Sequence, residues 1–243
     1  MTNVTRAVLL AAGRGTRMRE LTAEVPKPML HVHGKPVLQH ILEGLRDNGI
    51  TEFLIVVGWR AEIVQQHFLH GAAFGVSIAY LTQLVQDGTG RVVELARGFV
   101  CDGAFVLSYG DILVDPRNYA ALVRPEPQVE AIVSVKRNQD VSQGGAVFLN
   151  ERFELIDLRE KPLPGEPFSP WYNAGVYTFR PSIFEFTRQL ERSPRGEYEL
   201  TDAIRALAHS GRKVQAIELV GDWADVRDPE VLASLNRARP ADH

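Results

Sequence analysis

An apolar run from Ala7 to Ala12 empties directly into Gly13-Arg14-Gly15-Thr16-Arg17, and Pro26-Lys27-Pro28 follows a short way on. The run reads as a buried strand, because continuous apolar residues bounded by glycine leave no polar face for water. Glycines after such a strand let backbone N–H groups close on a phosphate chain, since no Cβ stands in the way. Arg17 and Lys27 then supply two fixed cations, which suits a polyphosphate such as a nucleoside triphosphate. On this reading Leu10, Ala11, Ala12, Gly13, Gly15 and Thr16 form the nucleotide loop.

Spacing separates this loop from two better-known ones. A dinucleotide fingerprint needs G-x-G-x-x-G, and Met18 stands where the third glycine belongs. A Walker-type loop needs G-K-[ST], which does not follow. A plain structural turn accounts for the glycines, but not for Arg17 together with a proline-clamped Lys27.

Downstream, strand and helix patterns alternate. Apolar runs at Phe53–Val57, Val76–Tyr80 and Ala104–Leu107 read as strands. Between them lie helical spacings over Val37–Leu45, Ile63–Phe68 and Val92–Phe99. This predicts an α/β chain with a mostly parallel central sheet flanked by helices, Rossmann-like in character. Ligands of such sheets sit at the carboxyl ends of the strands, where Gly13, Gln83, Tyr109, Gly110 and Asp111 all fall. From Val129 the pattern changes to strands with little helix: Val129–Val135, Gly145–Leu149, Glu154–Leu158 and Tyr172–Phe179. They predict a small antiparallel lobe on the substrate side. Helices return over Ser182–Leu190 and Thr201–His209, a strand over Val214–Leu219, and Pro229 opens a last helix. The whole of 1–243 is expected to be one domain, with a nucleotide-binding half at about 1–125 and a substrate-side lobe at about 126–243.

Composition narrows the partners. A formal net charge of −3 leaves no electrostatic footprint for nucleic acid. The single cysteine, Cys101, forms no internal disulfide and suits a reducing cytoplasm. No apolar run is long enough for a bilayer, so a soluble protein without membrane partners is expected. Neither a H-E-x-x-H pair nor a G-x-S-x-G elbow is present, which leaves covalent catalysis without a candidate.

Asp111 ends a buried strand directly after a glycine. A triphosphate site requires Mg²⁺, which takes one or two carboxylates beside phosphate oxygens. Asp111 is therefore read as a metal ligand, and Asp225, in Trp223-Ala224-Asp225 after the last strand, as its partner; Asp222 is the fallback.

Leu10-Ala11-Ala12-Gly13-Arg14-Gly15-Thr16-Arg17-Met18 and Pro26-Lys27-Pro28-Met29-Leu30 resemble the signature of the sugar-1-phosphate nucleotidylyltransferases. The resemblance runs from Val8 to about Pro229. It implies a glycosyltransferase-A-like fold and in-line transfer from an NTP to a sugar-1-phosphate with Mg²⁺, Arg17 and Lys27 being catalytic. Gln83 to Gly90 is similar to the family's base-reading loop. Gln83 would pair with the edge of uracil or thymine, Gly88 would admit backbone to the base, and Thr89 would cap the next helix. Glu160-Lys161-Pro162 resembles the family's E-K-P, whose glutamate holds sugar hydroxyls and whose lysine reaches a phosphate. Asn173-Ala174-Gly175 resembles its N-A-G segment, and Gly144-Gly145 the place where backbone meets sugar. Trp223 to Pro229 matches a W-x-D-x-G-T-P segment, with Arg227-Asp228 in place of Gly-Thr. Glu197 to Ala203 is assigned no chemistry, and no additional C-terminal domain is expected. Other readings stay open: cytidylyl or guanylyl transfer, an acceptor such as phosphocholine, a non-catalytic nucleotide-sugar sensor, and a homo-oligomer.

Overall fold

Strand β1 (Arg6–Ala11) lies inside a nine-stranded sheet in a computed structural model of the chain, which describes residues 3–163 and 165–238. The glycine loop after β1 leads through two short 3-10 turns, Thr16–Thr22 and Lys27–Met29, into the hairpin β2 (His31–Val32) and β3 (Lys35–Pro36). Next come α1 (Val37–Asp47), β4 (Glu52–Val57), α2 (Ala61–Phe68), β5 (Ser77–Thr82), α3 (Thr89–Leu95) and α4 (Arg97–Val100). Strand β6 (Phe105–Tyr109), β7 (Ile112–Val114) and α5 (Tyr119–Leu122) complete the first half. The second half holds β8 (Ala131–Arg137), β9 (Gly145–Leu149), β10 (Leu155–Glu160), β11 (Trp171–Phe179) and α6 (Ile183–Thr187). It ends with α7 (Leu200–His209), β12 (Val214–Glu218), β13 (Trp223–Asp225) and α8 (Pro229–Arg237).

The parallel, helix-flanked sheet expected from the alternation is present: β6, β1, β4 and β5 are neighbours and run parallel. Side chains of β1 show why both faces must be covered. Ala7, Leu9 and Ala11 pack in one core with Leu38, Ile41, Leu42 and Leu45 of α1 and Val64 and Phe68 of α2. Val8 and Ala12 point to the other core, with Phe105, Leu107, Tyr177 and Phe184, and with Ile204 and Leu207 of α7. Alternation along one strand thus feeds two apolar layers, whose burial is the main favourable term in folding.

The antiparallel strands continue this sheet edge to edge. β11, buried along its whole length, pairs antiparallel with β6, β8 and β9, and β10 closes one edge against β9. The β8–β11 register breaks between Asn173 and Tyr177, where Gly175 takes φ 80°. Ser134 fills the break: its Oγ donates to Val176 O at 2.6 Å and accepts from Val176 N at 3.2 Å. Such a bulge re-aims side chains at the end of a strand.

One local expectation changes, and one element was not foreseen. Thr89 does not cap α3; Gly88 holds the cap position at φ 115°, and Thr89 Oγ1 instead accepts from Leu200 N at 3.3 Å. The ribbon of β7 and β13, too short to carry a sequence period, pairs antiparallel with Asp225 facing Ile112.

Candidate active site

At the carboxyl ends of the parallel strands lies a cavity of about 520 Å³. One wall is the glycine loop: Leu10, Gly13, Gly15, Thr16 and Arg17, with Lys27, Tyr109 and Asp111 beside it. Gly145, Glu160, Lys161 and Asn173 form the facing strands, and Thr89 and Asp225 complete the expected set. Residues from β1, β6, β9, β10, β11 and β13 therefore meet at one place.

Five expected nucleotide residues do not line it. Ala11 and Ala12 are buried in the two cores. Gly110 donates its N–H to Leu10 O at 2.9 Å and serves the packing of β1 on β6. Gly88 lies against the Tyr198 backbone, where a Cβ would collide. Gln83 turns its amide back to Val85 O at 2.9 Å, whereas Gln86, which the sequence reading passed over, donates to Ala12 O at 2.8 Å and ties the loop to β1. The fallback Asp222 stays off the wall, and its backbone O accepts from Asp115 N.

Lys27 is fixed before it meets any ligand. Pro26 and Pro28 bracket it, and backbone bonds Met29 N to Pro26 O and Leu30 N to Lys27 O close the turn. Its Cβ passes over Gly15, which sits at φ 65° where an added Cβ would come within 2.8 Å. Thr22 Oγ1 donates to Gly15 O at 3.0 Å and holds that loop shape. The ammonium reaches Asp111 Oδ2 at 2.5 Å and Asp225 Oδ1 at 3.6 Å. The two aspartates come together through the β7–β13 ribbon, where Val226 N also donates to Asp111 O at 3.0 Å.

Burial, and then the Asp111 charge, push the Asp225 carboxyl above its ordinary range, although Lys27, Arg227 and Arg17 oppose the shift. The pair is thus short of positive charge. Two hard oxygen donors side by side are what Mg²⁺ takes from a protein, leaving its other positions to phosphate and water. Among the described residues no group of three or more His, Cys, Asp or Glu could hold a metal, so a two-carboxylate site is the best the fold offers.

Across the cavity, burial and then Glu199 raise the Glu160 carboxyl. Arg195 answers it loosely, 3.7 Å away, while bonding Glu199 at 2.8 Å. Asn173 Oδ1 is buried without a hydrogen-bond partner, an acceptor that a ligand hydroxyl can satisfy. Residues the sequence reading missed include Gln143, Tyr172, Arg195, Glu197, Glu199 and Arg227, all on the wall, where Gly144 joins Gly145. Only the stretch before Thr201 gave any signal.

A family model described as nucleotidyl transferase matches residues 6–240. The chain belongs to the nucleotidyl transferase family. Two relatives of this nucleotidyl transferase chain differ in length. The UTP–glucose-1-phosphate uridylyltransferase AglF of Haloferax volcanii is 36% identical over 93% of this chain and 92% of its own. The bifunctional protein GlmU of Methanocaldococcus jannaschii is 36% identical over 95% of this chain and 53% of its own. The chain thus spans about half the length of the GlmU relatives it matches. A UDP-glucose pyrophosphorylase solved with UDP-glucose shares the fold, with a TM-score of 0.87, 23% identity, and 96% and 97% of the two chains covered.

Proposed function

We propose that this nucleotidyl transferase joins an NTP, with UTP or dTTP favoured, to a sugar-1-phosphate, giving a nucleotide sugar and pyrophosphate. The observation that carries the reading is Lys27, pinned between Asp111 and Asp225 on a wall shared with Arg17 and facing Glu160, Lys161 and Asn173. A phosphate oxygen of the acceptor attacks the α-phosphorus, the bond from that phosphorus to the bridging oxygen breaks, and pyrophosphate leaves. The attacking group is already an anion, so no protein nucleophile is needed. The chain contributes position and charge stabilisation.

Arg17 and Lys27 neutralise charge on the α-phosphate and the leaving group. Asp111 and Asp225 would hold Mg²⁺, which supplies Lewis-acid charge to the phosphates. Lys27 would then yield part of its hold on the carboxylates to the phosphate chain. Glu160 and Asn173 take sugar hydroxyls and Lys161 the acceptor phosphate. Gln83 reads the base once its amide turns away from Val85. Work in the cytoplasm, where NTPs and sugar phosphates occur, accords with the lone, exposed Cys101, and no described helix is long and apolar enough to cross a membrane.

The test is pyrophosphate release with Mg²⁺ across UTP, dTTP, CTP, GTP and ATP against a panel of sugar-1-phosphates. The names of relatives such as AglF make UTP with glucose 1-phosphate the first pair to try. Release with a pyrimidine donor supports the reading. Nucleotide binding without release from any pair points to a sensor instead.

A further inference from the structure

Two residues outside the family signature, Tyr172 and Arg227, line the cavity, and the Tyr172 hydroxyl feels the charges of both Asp225 and Arg227. Tyr172 adjoins Asn173 on β11 and pairs with Ala146 of β9. Its ring stands edge-on to Trp223, centroids 5.4 Å apart, and Trp223 Nε1 donates to Ala174 O at 3.0 Å. The tyrosine is therefore locked to β13 as well as to its own strand. Its hydroxyl lies over Gly144, where a Cβ would collide, so that position needs glycine.

Arg227 follows Asp225 in a tight turn, its backbone N–H donating to Asp225 O at 2.7 Å. The nearest carboxylate to its guanidinium, Asp228 Oδ2, is 3.6 Å away, and the side chain is 35% exposed. No side-chain hydrogen bond uses its donors among the described residues. Two of the other cations on the wall are engaged, Lys27 by Asp111 and Arg195 by Glu199. A guanidinium with unused donors beside a hydroxyl donor is a corner made for an oxyanion.

We propose that the Tyr172 hydroxyl and the Arg227 guanidinium together grip the phosphate of the acceptor. The inference rests on the nucleotidyl-transfer reading. The location selects the acceptor: Tyr172 and Gly144 belong to the strands that carry Asn173 and Gly145, whereas the nucleotide loop follows β1. Burial pushes the Tyr172 hydroxyl up to about 12, so it remains a neutral donor at physiological pH. The guanidinium also eases the charges of Asp225 and Asp140. An incoming dianion replaces these weaker, longer-range attractions with direct bonds.

The full chain and its Arg227→Gln, Arg227→Lys and Tyr172→Phe variants are compared in steady state with UTP and glucose 1-phosphate. Loss of a charge-assisted bond to phosphate should raise the acceptor KM about tenfold or more in Arg227→Gln, with partial recovery in Arg227→Lys. Tyr172→Phe should raise it about threefold, a neutral hydrogen bond being worth less. The KM for UTP and the melting temperature should stay near wild type. An unchanged acceptor KM, or a rise in the UTP KM alone, overturns the proposal. Equal rises in both KM values with a lower melting temperature also overturn it, as a structural role would give. If the wild type releases pyrophosphate with no pair, the reaction reading falls and binding decides the corner. Calorimetric titration of glucose 1-phosphate should then still be about tenfold weaker in Arg227→Gln, and equal binding overturns the corner itself.

Discussion

The Lys27 ammonium stands 2.5 Å from Asp111 Oδ2, joining side chains 84 positions apart in the chain. The same ammonium reaches Asp225, so one cation serves two carboxylates and, in the proposed reaction, would also serve the arriving phosphates. Lys27→Ala should cut pyrophosphate release about tenfold or more, the range expected for loss of a group aimed at developing charge. Circular dichroism should show the fold retained. Unchanged turnover would remove Lys27 from the mechanism.

Asp225→Asn should separate metal affinity from stability. The Asp225 carboxyl is raised in the folded chain by burial and by Asp111. A carboxyl raised on folding costs stability above its unfolded pKa, because the native state holds the proton more tightly than the unfolded chain. The metal-free variant should therefore melt higher than wild type at neutral pH. Added Mg²⁺ should raise the melting temperature of wild type more than that of the variant, and activity should need more Mg²⁺. A lower melting point without metal would contradict the charge argument.

Glu160 sets a pH dependence. Its carboxyl is raised by burial and by Glu199, and in the proposed reaction it would serve the acceptor as an anion. The acid limb of kcat/KM for the sugar phosphate should lie above the ordinary glutamate range, with activity falling as pH drops through it. Glu199→Gln removes the neighbouring negative charge and frees Arg195 to approach Glu160. Both changes lower the Glu160 pKa, so the limb should move to lower pH. A limb that stays put, or moves up, would detach it from Glu160.

Gly88→Ala tests whether that glycine serves the nucleotide or the fold. Gly88 sits at φ 115° against the Tyr198 backbone, while Tyr198 N donates to Asp87 O at 2.8 Å and Gly90 N to Tyr198 O at 2.9 Å. Backbone presses on backbone here, with no flexible side chain to give way. The variant should lose about 1–3 kcal/mol or more in denaturant unfolding, from strain at a disfavoured φ plus the clash. A variant with wild-type stability and only a raised KM for UTP would return Gly88 to a purely nucleotide-binding role.

How much of this was legible depends on how local each feature is. The first strand, its glycine loop, Arg17 and the proline-bracketed Lys27 can be read from adjacent residues, because turn geometry and strand burial are decided within a few positions. The alternation that follows announces a parallel sheet for the same reason. Gln83 is equally visible in its loop, yet which way its amide turns depends on Val85 and on Gln86 holding Ala12.

The site itself was half legible. The sequence by itself determined the glycine loop after the first strand, the cations Arg17 and Lys27 beside it, and the alternation that builds the parallel sheet. Tertiary structure alone decided that Asp225 meets Asp111, through a ribbon of β7 and β13 with three residues a side. It alone brought Arg195 and Glu199 to Glu160, and set Tyr172 over Gly144. Those contacts rest on register and bulges between distant segments, where pairing and burial choose the partner. A strand so short leaves no period of its own for the sequence to display.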